Sequence, residues 1–431
     1  MAKRFLKELP ELLKAGVLDE EDIKNIQDYY SGKFKQPPNR LFVVFGILGA
    51  ILTGLGIILI IAHNWDELSR PVKTILSFLP LLTAQTLCMY AFLKRENNIA
   101  WKESTSTLLF FTVGACISLI SQVYNIPGDF SSFMITWMLL CLPVVYLMRS
   151  SSVSLLYLVG ISVYASKTGY FGFPSSEPYI YWVLLLIALP YYFNLRKKAP
   201  GSNFVIYHNW IISLSLIIVL GTVAKKHEDL MYIAYFSLFG LLHLLGTTDL
   251  FKSQKLRNNG FLLLGSLGSI FLLMMLSFDW FWKDLIRHHQ FAPEGITSVE
   301  FIVSVLISLV AGILLYYQIK FRSLSKTDPL QFTFVVFIVL YIIGNFATVL
   351  PIILINIFVL ILGVLNIRKG AVLNNLGILN YGLLIVTALV VCRFFDTNMS
   401  YFLRGILFVI VGAGFFAANY FMLRKRTEHE R

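Results

Sequence analysis

Eight polar side chains lie beside long apolar runs, at positions where they could bind a small polar ligand. They are Asn64, Asp66, Gln122, Asn125, Asp129, Arg393, Asp396 and Arg404. Arginines pair with anionic groups, and amides supply hydrogen bonds, so the set predicts a polar pocket that holds an anion. A structural interpretation stands beside it, in which Arg393, Asp396 and Arg404 tie the last two helices together.

Signatures of enzymes are absent from the sequence. It contains no HExxH, GxSxG or Walker A motif, and its four cysteines lie in apolar runs without CxxC spacing. We therefore expect no metal and no cofactor, and a non-enzymatic role is favoured. A carboxylate such as Asp66, Asp129 or Asp396 can still act as a general base. A membrane enzyme acting on lipid-linked substrates is thus an alternative.

The elements that must position these residues are membrane helices. The chain has 431 residues, of which 57% are hydrophobic and 14% are charged. A soluble protein carries roughly 25% charged residues, so lipid is the solvent for most of this chain. The sequence predicts an all-α fold, a polytopic integral membrane bundle of about 14 helices. The predicted spans are 41–63, 72–93, 106–124, 132–148, 152–166, 178–195, 204–224, 230–248, 260–281, 299–318, 330–347, 350–366, 371–392 and 401–423.

Two parts of this prediction have alternatives. The run at 152–166 is short and rich in serine, so a re-entrant segment is the alternative to a span. The runs at 330–347 and 350–366 are separated by a tight turn near Thr348 and Pro351. We predict two spans there, because one kinked helix would be too long to cross the membrane once.

The distribution of positive charge predicts the topology. Of the 36 Lys and Arg residues, 27 fall in one alternate set of gaps between the spans and 9 in the other. By the positive-inside rule both termini are cytoplasmic, in a multi-pass protein of the plasma (inner) membrane. The basic surplus would then meet anionic headgroups, so membrane lipids are the expected partners. A nucleic-acid partner is not expected, and the sequence does not indicate an oligomeric state.

Residues 1–40 form the one sizeable polar segment before the first span, and we predict a cytoplasmic helical hairpin. Gly16 is placed to end its first helix, and Asp19 to cap the second. The hairpin is either a lid on the membrane domain or a docking site for a protein partner. The predicted domains are therefore the hairpin at 1–40, the transmembrane domain at 41–423 and a basic tail at 424–431.

Small and polar residues inside the spans indicate how the helices pack. In the first span Gly46, Ala50 and Gly54 recur every fourth residue, a spacing that lets helix backbones approach closely. The last span has a similar set, Gly405, Gly412, Gly414 and Ala418. Embedded polar residues are expected to hydrogen-bond between helices. They are Gln85, His208, Asn209, His243, Asn345, Asn356, Asn374, Asn375, Asn380 and Asn419.

Several stretches resemble a known family. They are LLKAGVLDEEDI, LGAILTGLGIILIIAHNWDEL, SQVYNIPGDF and, near the C-terminus, LNYGLLIVTALVVCRFFDTNMSYFLRGILF. These patterns are similar to DUF2157, a family of uncharacterised bacterial multi-pass membrane proteins. The resemblance implies a membrane protein with a cytoplasmic N-terminal helical segment. It implies no reaction, substrate or catalytic residue.

Three functions follow as hypotheses. The first is transport or lipid handling through an outward-facing polar pocket. The second is a non-catalytic scaffold or sensor that acts through the N-terminal hairpin. The third is the membrane enzyme described above. No span carries an acidic residue near its midplane, which argues against a proton- or sodium-coupled transporter.

Overall fold

The computed structural model describes residues 40–63, 68–171, 176–251, 255–287, 293–322, 328–347, 349–394 and 400–406, with scattered positions between 9 and 26 and between 408 and 416. This described part is helical and contains no strand, which confirms the all-α prediction. It divides into two compact units, Met1–Tyr157 and Leu158–Arg431.

The first unit is built around one central helix. Its helices are α1 Arg40–His63, α2 Arg70–Lys94, α3 Ile99–Val123, α4 Phe130–Leu147 and the start of α5 Ser151–Tyr170, which continues into the second unit. Helix α3 packs against α1, α2 and α4. It can do so because small and hydroxyl-bearing residues, among them Ser106, Thr107 and Gly114, are buried along it. Such residues let neighbouring backbones approach closely.

The geometry of two residues in the N-terminal segment is described. Gly16 has a φ of +67°, the left-handed conformation that glycine adopts without strain. The Asp19 carboxylate accepts a hydrogen bond of 2.8 Å from the backbone N–H of Asp22, as an N-cap does. Most of residues 1–39 lie outside the described residues. The hairpin and its possible protein partner therefore remain predictions.

The small residues of α1 pack inside the first unit. A Cβ at Gly46 would collide with the Ser104 hydroxyl of α3, and one at Gly54 would lie 3.2 Å from Phe111 Cβ. Ala50, between them, is buried. The predicted close packing of the first span is thus confirmed, and its partner is α3.

The corresponding expectation for the last span remains a prediction. A Cβ at Gly405, Gly412 or Gly414 would meet no described atom within 4 Å. Ala418 lies outside the described residues.

A buried carboxylate holds the start of α5. Glu103 accepts hydrogen bonds from the Ser150 hydroxyl at 2.6 Å and from the backbone N–H groups of Ser151 and Ser152 at 2.9 and 2.8 Å. The first N–H groups of a helix have no partner within it, and burying them without one is costly. Glu103 supplies that partner from α3.

The second unit contains the remaining helices. They are α6 Ile180–Lys198, α7 Asn203–Leu220, α8 Leu230–Thr247, α9 Gly260–Leu276, α10 Asp279–Arg287, α11 Pro293–Ile296, α12 Val299–Arg322, α13 Thr333–Gly344, α14 Val349–Val372, α15 Leu376–Phe394 and α16 Tyr401–Gly414. Helix α8 packs against α9, α12 and α13, and α14 packs along α15. Phe236 of α8 stacks on Phe337 of α13 with ring centres 4.1 Å apart. These contacts form its apolar core.

The second unit contains a similar contact between a buried carboxylate and successive backbone N–H groups. Glu300, at the start of α12, is buried and accepts hydrogen bonds from three consecutive backbone N–H groups between α7 and α8. The donors are Lys225, Lys226 and His227, at 2.6, 2.8 and 3.3 Å. Glu300 therefore supplies a hydrogen-bond acceptor to the backbone N–H groups of this turn.

Several predicted spans have different boundaries in the structure, among them the runs at 260–281 and 371–392. The run at 260–281 comprises α9 and the start of α10. The first helix ends at Leu276, whose carbonyl accepts a hydrogen bond of 2.7 Å from the indole N–H of Trp282 in α10. The run at 371–392 begins only at Leu376. Asn374 has a φ of +49°, and Asn375 accepts hydrogen bonds from the first N–H groups of α15. These two amides are turn residues and not embedded ones.

Nine helices of the described residues are long and apolar enough to cross a membrane, and four apolar helices are shorter. The serine-rich run is a continuous helix, α5, of 20 residues. At 1.5 Å per residue it is roughly 30 Å long, which is the thickness of the hydrocarbon core, but it is not one of the nine helices that are both long and apolar enough to span. The chain thus has several helices able to span a membrane, while the count of 14 remains a prediction.

Replacing Glu103 should destabilise the protein. In Glu103→Ala the buried donors at 150–152 lose their acceptor, at a cost of about 1–3 kcal/mol for each group left unsatisfied. The measurement is thermal unfolding in detergent, with Glu96→Ala as control because Glu96 is exposed in the turn between α2 and α3. Equal melting temperatures for the two variants would contradict the assigned role of Glu103.

Candidate functional site: a lateral groove in the first unit

A groove of about 960 Å³ lies between α2, α3 and α4. Its volume is within the range of small-molecule sites, which measure roughly 300–1,000 Å³. Its lining comes from three helices and the turn that joins the last two. The lining residues are Phe78, Leu81, Gln85, Val113, Cys116, Ile117, Ser118, Ile120, Ser121, Gln122, Ile126, Pro127, Gly128, Asp129, Phe130, Ser132, Phe133, Thr136 and Leu140.

The turn between α3 and α4 closes one end of the groove. The Ser121 hydroxyl donates to the Ile126 carbonyl at 3.1 Å, and the Ile126 N–H donates to the Ser121 carbonyl at 2.9 Å. Between them Asn125 has a φ of +49°, in the left-handed region that Asn tolerates better than most residues. The Tyr124 hydroxyl lies 3.1 Å from the Thr74 hydroxyl of α2. The turn is therefore held on both sides.

Asp129 starts α4 and gives the groove its charge. Its carboxylate accepts a hydrogen bond of 2.9 Å from the backbone N–H of Ser132, as an N-cap does. The hydrogen bonds from Ser132 lower the pKa of Asp129 below its usual value, so the group is ionised at neutral pH. Among the described residues, the lining contains this carboxylate and no basic side chain.

The Trp137 side chain fixes α4 to α3 behind the groove. Its indole N–H donates to the Phe110 carbonyl at 2.8 Å. The indole also lies against Gly114, where an added Cβ would come within 2.6 Å of the ring. Phe133, which lines the groove, packs on Trp137 with ring centres 5.5 Å apart. The groove wall is thus backed by a close-packed aromatic group.

The groove is polar at one end and mainly apolar along its length, where Gln85 and Thr136 are also part of the lining. Ser121, Gln122 and Asp129 lie at the turn, whereas Phe78, Leu81 and Leu140 lie further along the helices. Phe130 and Leu140 are ten residues apart on α4, which corresponds to a length of roughly 15 Å. Gln85 is exposed midway along α2, although most of that helix is apolar. A long amphiphile would match this lining.

The structure brings two of the eight predicted pocket residues into one cavity. Gln122 and Asp129 both line the groove. Asn125 lies beside it, in the turn, and does not contribute to the lining. Asn64, Asp66 and Asp396 lie outside the described residues.

The two predicted arginines belong to the second unit. Arg393, at the end of α15, is buried, donates to the Ser277 hydroxyl at 3.1 Å and lies 4.5 Å from the centre of the Phe278 ring. Arg404 lies 4.9 Å from the Tyr401 ring of its own helix. Arg393 thus connects α15 to the turn after α9. An anion pocket that uses both arginines remains a prediction.

Sequence reasoning missed the hydroxyl groups of the site. Ser118, Ser121, Ser132 and Thr136 all line the groove, but serine and threonine are common in membrane helices and carry little signal alone. Gln85 is recognisable as an embedded amide. A spacing of three to four residues also puts Ser118, Ser121 and Gln122 on one face of α3.

The groove and its polar turn lie in a segment with known relatives. Residues 10–154 match the family DUF2157, described as a predicted membrane protein. The DUF2157 segment ends close to Tyr157, where the first compact unit ends. The C-terminal stretch that resembles the family, at 379–408, lies outside this match. No curated protein and no solved structure is similar to the chain.

Substitutions at Asn125 separate a conformational role from a binding role. Asn125→Gly should keep the melting temperature, because glycine adopts a positive φ without strain. Asn125→Val should destabilise the protein by about 1–2 kcal/mol, because a β-branched residue is strained there. Thermal unfolding of the two variants in detergent is the measurement. If the valine variant proves as stable as the glycine variant, the turn does not depend on this conformation.

Proposed function

We propose that the protein handles lipid, and that the groove of the first unit binds one membrane lipid with its headgroup at the turn between α3 and α4. The observation that carries the proposal is the division of the lining into a polar end and an apolar length. Burying the apolar part of a ligand drives its binding, while a few placed polar groups orient it. Lipids have both parts in this order.

The dimensions of the groove support a lipid ligand. Its length of roughly 15 Å is half of the hydrocarbon thickness of about 30 Å, so it covers one leaflet. Phe78, Gln85 and Leu140 are exposed on α2 and α4, both of which are apolar and long enough to span a membrane. A lipid could therefore enter sideways from its own leaflet. By the predicted topology this is the outer leaflet.

The polar end favours a particular headgroup. It offers the Asp129 carboxylate together with neutral hydroxyl and amide groups, among them Ser121 and Gln122. A headgroup with a primary amine can donate hydrogen bonds to these oxygens and compensate the negative charge. A purely anionic headgroup would be repelled by Asp129. We therefore assign the site to an amine-bearing lipid.

Removing the amides should weaken lipid binding. In the double variant Gln85→Leu, Gln122→Leu, each lost hydrogen bond costs about 1 kcal/mol, so affinity should fall roughly 30-fold. The protein is purified in mild detergent, and bound phosphatidylethanolamine is titrated by native mass spectrometry. The apolar length of the groove stays intact in this variant.

The matched control for this experiment is Thr86→Leu. Thr86 follows Gln85 on α2, is exposed and does not line the groove. The Thr86→Leu variant should bind lipid with the same affinity as the wild type. Equal binding by the double variant and the wild type would refute the groove as the lipid site.

The charge at Asp129 should set the preference between headgroups. In nanodiscs with equal amounts of phosphatidylethanolamine and phosphatidylglycerol, the wild type should retain the amine lipid. Asp129→Asn should lower that preference about twofold to fivefold, since exposed charge pairs are weak. Asparagine also caps helices, so α4 should still start at the same residue.

The opposite preference would favour the arginine pocket. If the wild type retains phosphatidylglycerol and Arg404→Ala loses it, the ligand is an anion bound in the second unit. That result would overturn the assignment of the groove to an amine-bearing lipid.

A further inference from the structure

The second unit contains a buried polar cluster that the lipid groove does not involve. His243 and Thr247 lie in the last turns of α8, next to Gln331, which precedes α13 and donates to the Thr247 hydroxyl at 3.2 Å. Gln318 of α12 donates to the Leu244 carbonyl at 2.8 Å. His243 and Gln331 are each nearly inaccessible to solvent.

The hydrogen bonds determine which nitrogen of His243 carries the proton. The Ser266 hydroxyl donates its one hydrogen to the Leu262 carbonyl at 2.7 Å. Ser266 must therefore accept the second contact, from His243 Nδ1 at 2.8 Å. In the neutral ring the other nitrogen, Nε2, then has a lone pair and no hydrogen. This atom has no hydrogen-bond partner among the described residues.

A partly exposed ion pair lies at the start of the segment that carries Gln331. Lys369 Nζ lies 3.1 Å from an oxygen of Asp328, and the two side chains are 43% and 21% exposed. Asp328 caps the short helical turn that carries Gln331, and Gln331 donates to Thr247, one turn beyond His243, so the carboxylate lies near the same end of α8. His243 itself is 2% exposed. Exposure thus falls stepwise from the lysine through the carboxylate to the imidazole. Acidic and histidine side chains arranged in this way are the usual components of proton pathways in membranes.

The other helices around His243 contribute no further charge to it in the part of the chain that the structure describes. Helix α9 contributes Ser266 and α12 contributes Gln318, neither of which ionises. Lys320 of α12 lies over the Tyr316 ring at 6.0 Å, and His208 of α7 stacks on Tyr192. On α15, Tyr381 acts on Asp328 and its hydroxyl has no partner among the described residues.

We propose that Nε2 of His243 is a proton-binding site controlled by the ion pair between Asp328 and Lys369. While Lys369 occupies the carboxylate, the ring stays neutral, since an imidazolium there would be buried beside a second cation. When Lys369 is withdrawn, a proton from water bonds to Nε2 and Asp328 becomes its counter-ion. Nδ1 keeps its hydrogen on Ser266 throughout.

Histidine NMR on the full-length protein in nanodiscs tests this directly. Histidine labelled with ¹⁵N and ¹³C reports both tautomer and protonation, and loss of one signal in His243→Gln assigns the residue. If that variant does not fold, Ser266→Ala identifies the same ring through its shift. At neutral pH the wild type should show the neutral ring with hydrogen on Nδ1.

The ion-pair variants supply the decisive comparison. Lys369→Met should raise the proton affinity of His243 about tenfold or more, and adding Asp328→Asn should reverse that gain. His208 is the internal control, since it is also buried and lies 2.7 Å from the Phe204 carbonyl through Nδ1. The proton affinity of His208 should be the same in the wild type and in both ion-pair variants.

Two results would overturn the proposal. The first is a wild-type ring with hydrogen on Nε2, which would remove the free lone pair. The second is an unchanged proton affinity of His243 in Lys369→Met, which would mean that the ion pair does not control the site.

Discussion

The rest of the structure depends on one requirement, that polar groups withdrawn from water must find partners inside the protein. Glu103 and Glu300 meet it in the same way, each with one carboxylate that accepts hydrogen bonds from successive backbone N–H groups. Each carboxylate lies on a helix, and its donors belong to a different part of the chain. In a chain this apolar, such contacts specify which helix ends meet, because contacts between aliphatic side chains alone are not directional.

The groove results from the same requirement applied to one turn. The turn at 121–129 satisfies its own backbone through Ser121 and through the cap at Asp129. Its remaining polar groups, such as the Gln122 amide, are then available to a ligand. The groove also requires that α4 is held against α3. The hydrogen bond from the Trp137 indole N–H to the Phe110 carbonyl holds it there.

Apolar runs predict the existence of these helices well, because the length needed to cross a bilayer is a strong constraint. Their ends are less well predicted. Helix α3 begins at Ile99, seven residues before the predicted span, because Asn98 caps it and accepts from the Trp101 N–H at 3.2 Å. Charged residues in the first turns of α3 interrupt the apolar run, so the sequence pattern does not show where the helix begins. As a result Glu103, the residue that holds α5, lies outside the predicted span.

The candidate site is predicted only in part, since its members meet through tertiary packing. Gln122 and Asp129 are close in sequence and were predicted together. Gln85 lines the same groove from another helix, and no periodicity in the sequence shows which face of α2 meets α3. The contact of Arg393 is harder still, since its partner Ser277 is 116 residues away.

The hydrogen bonds of Glu103 bear on how the chain is made. A ribosome releases α3 before α5, so the carboxylate reaches the bilayer ahead of the N–H groups that accompany it in the folded protein. Until residue 152 emerges, Glu103 has to remain near the aqueous edge. The stretch that matches the family ends at residue 154, just after the last of these donors. Nascent chains shorter than this lack a contact on which the first unit depends, whereas the stretch shared with the family contains it whole.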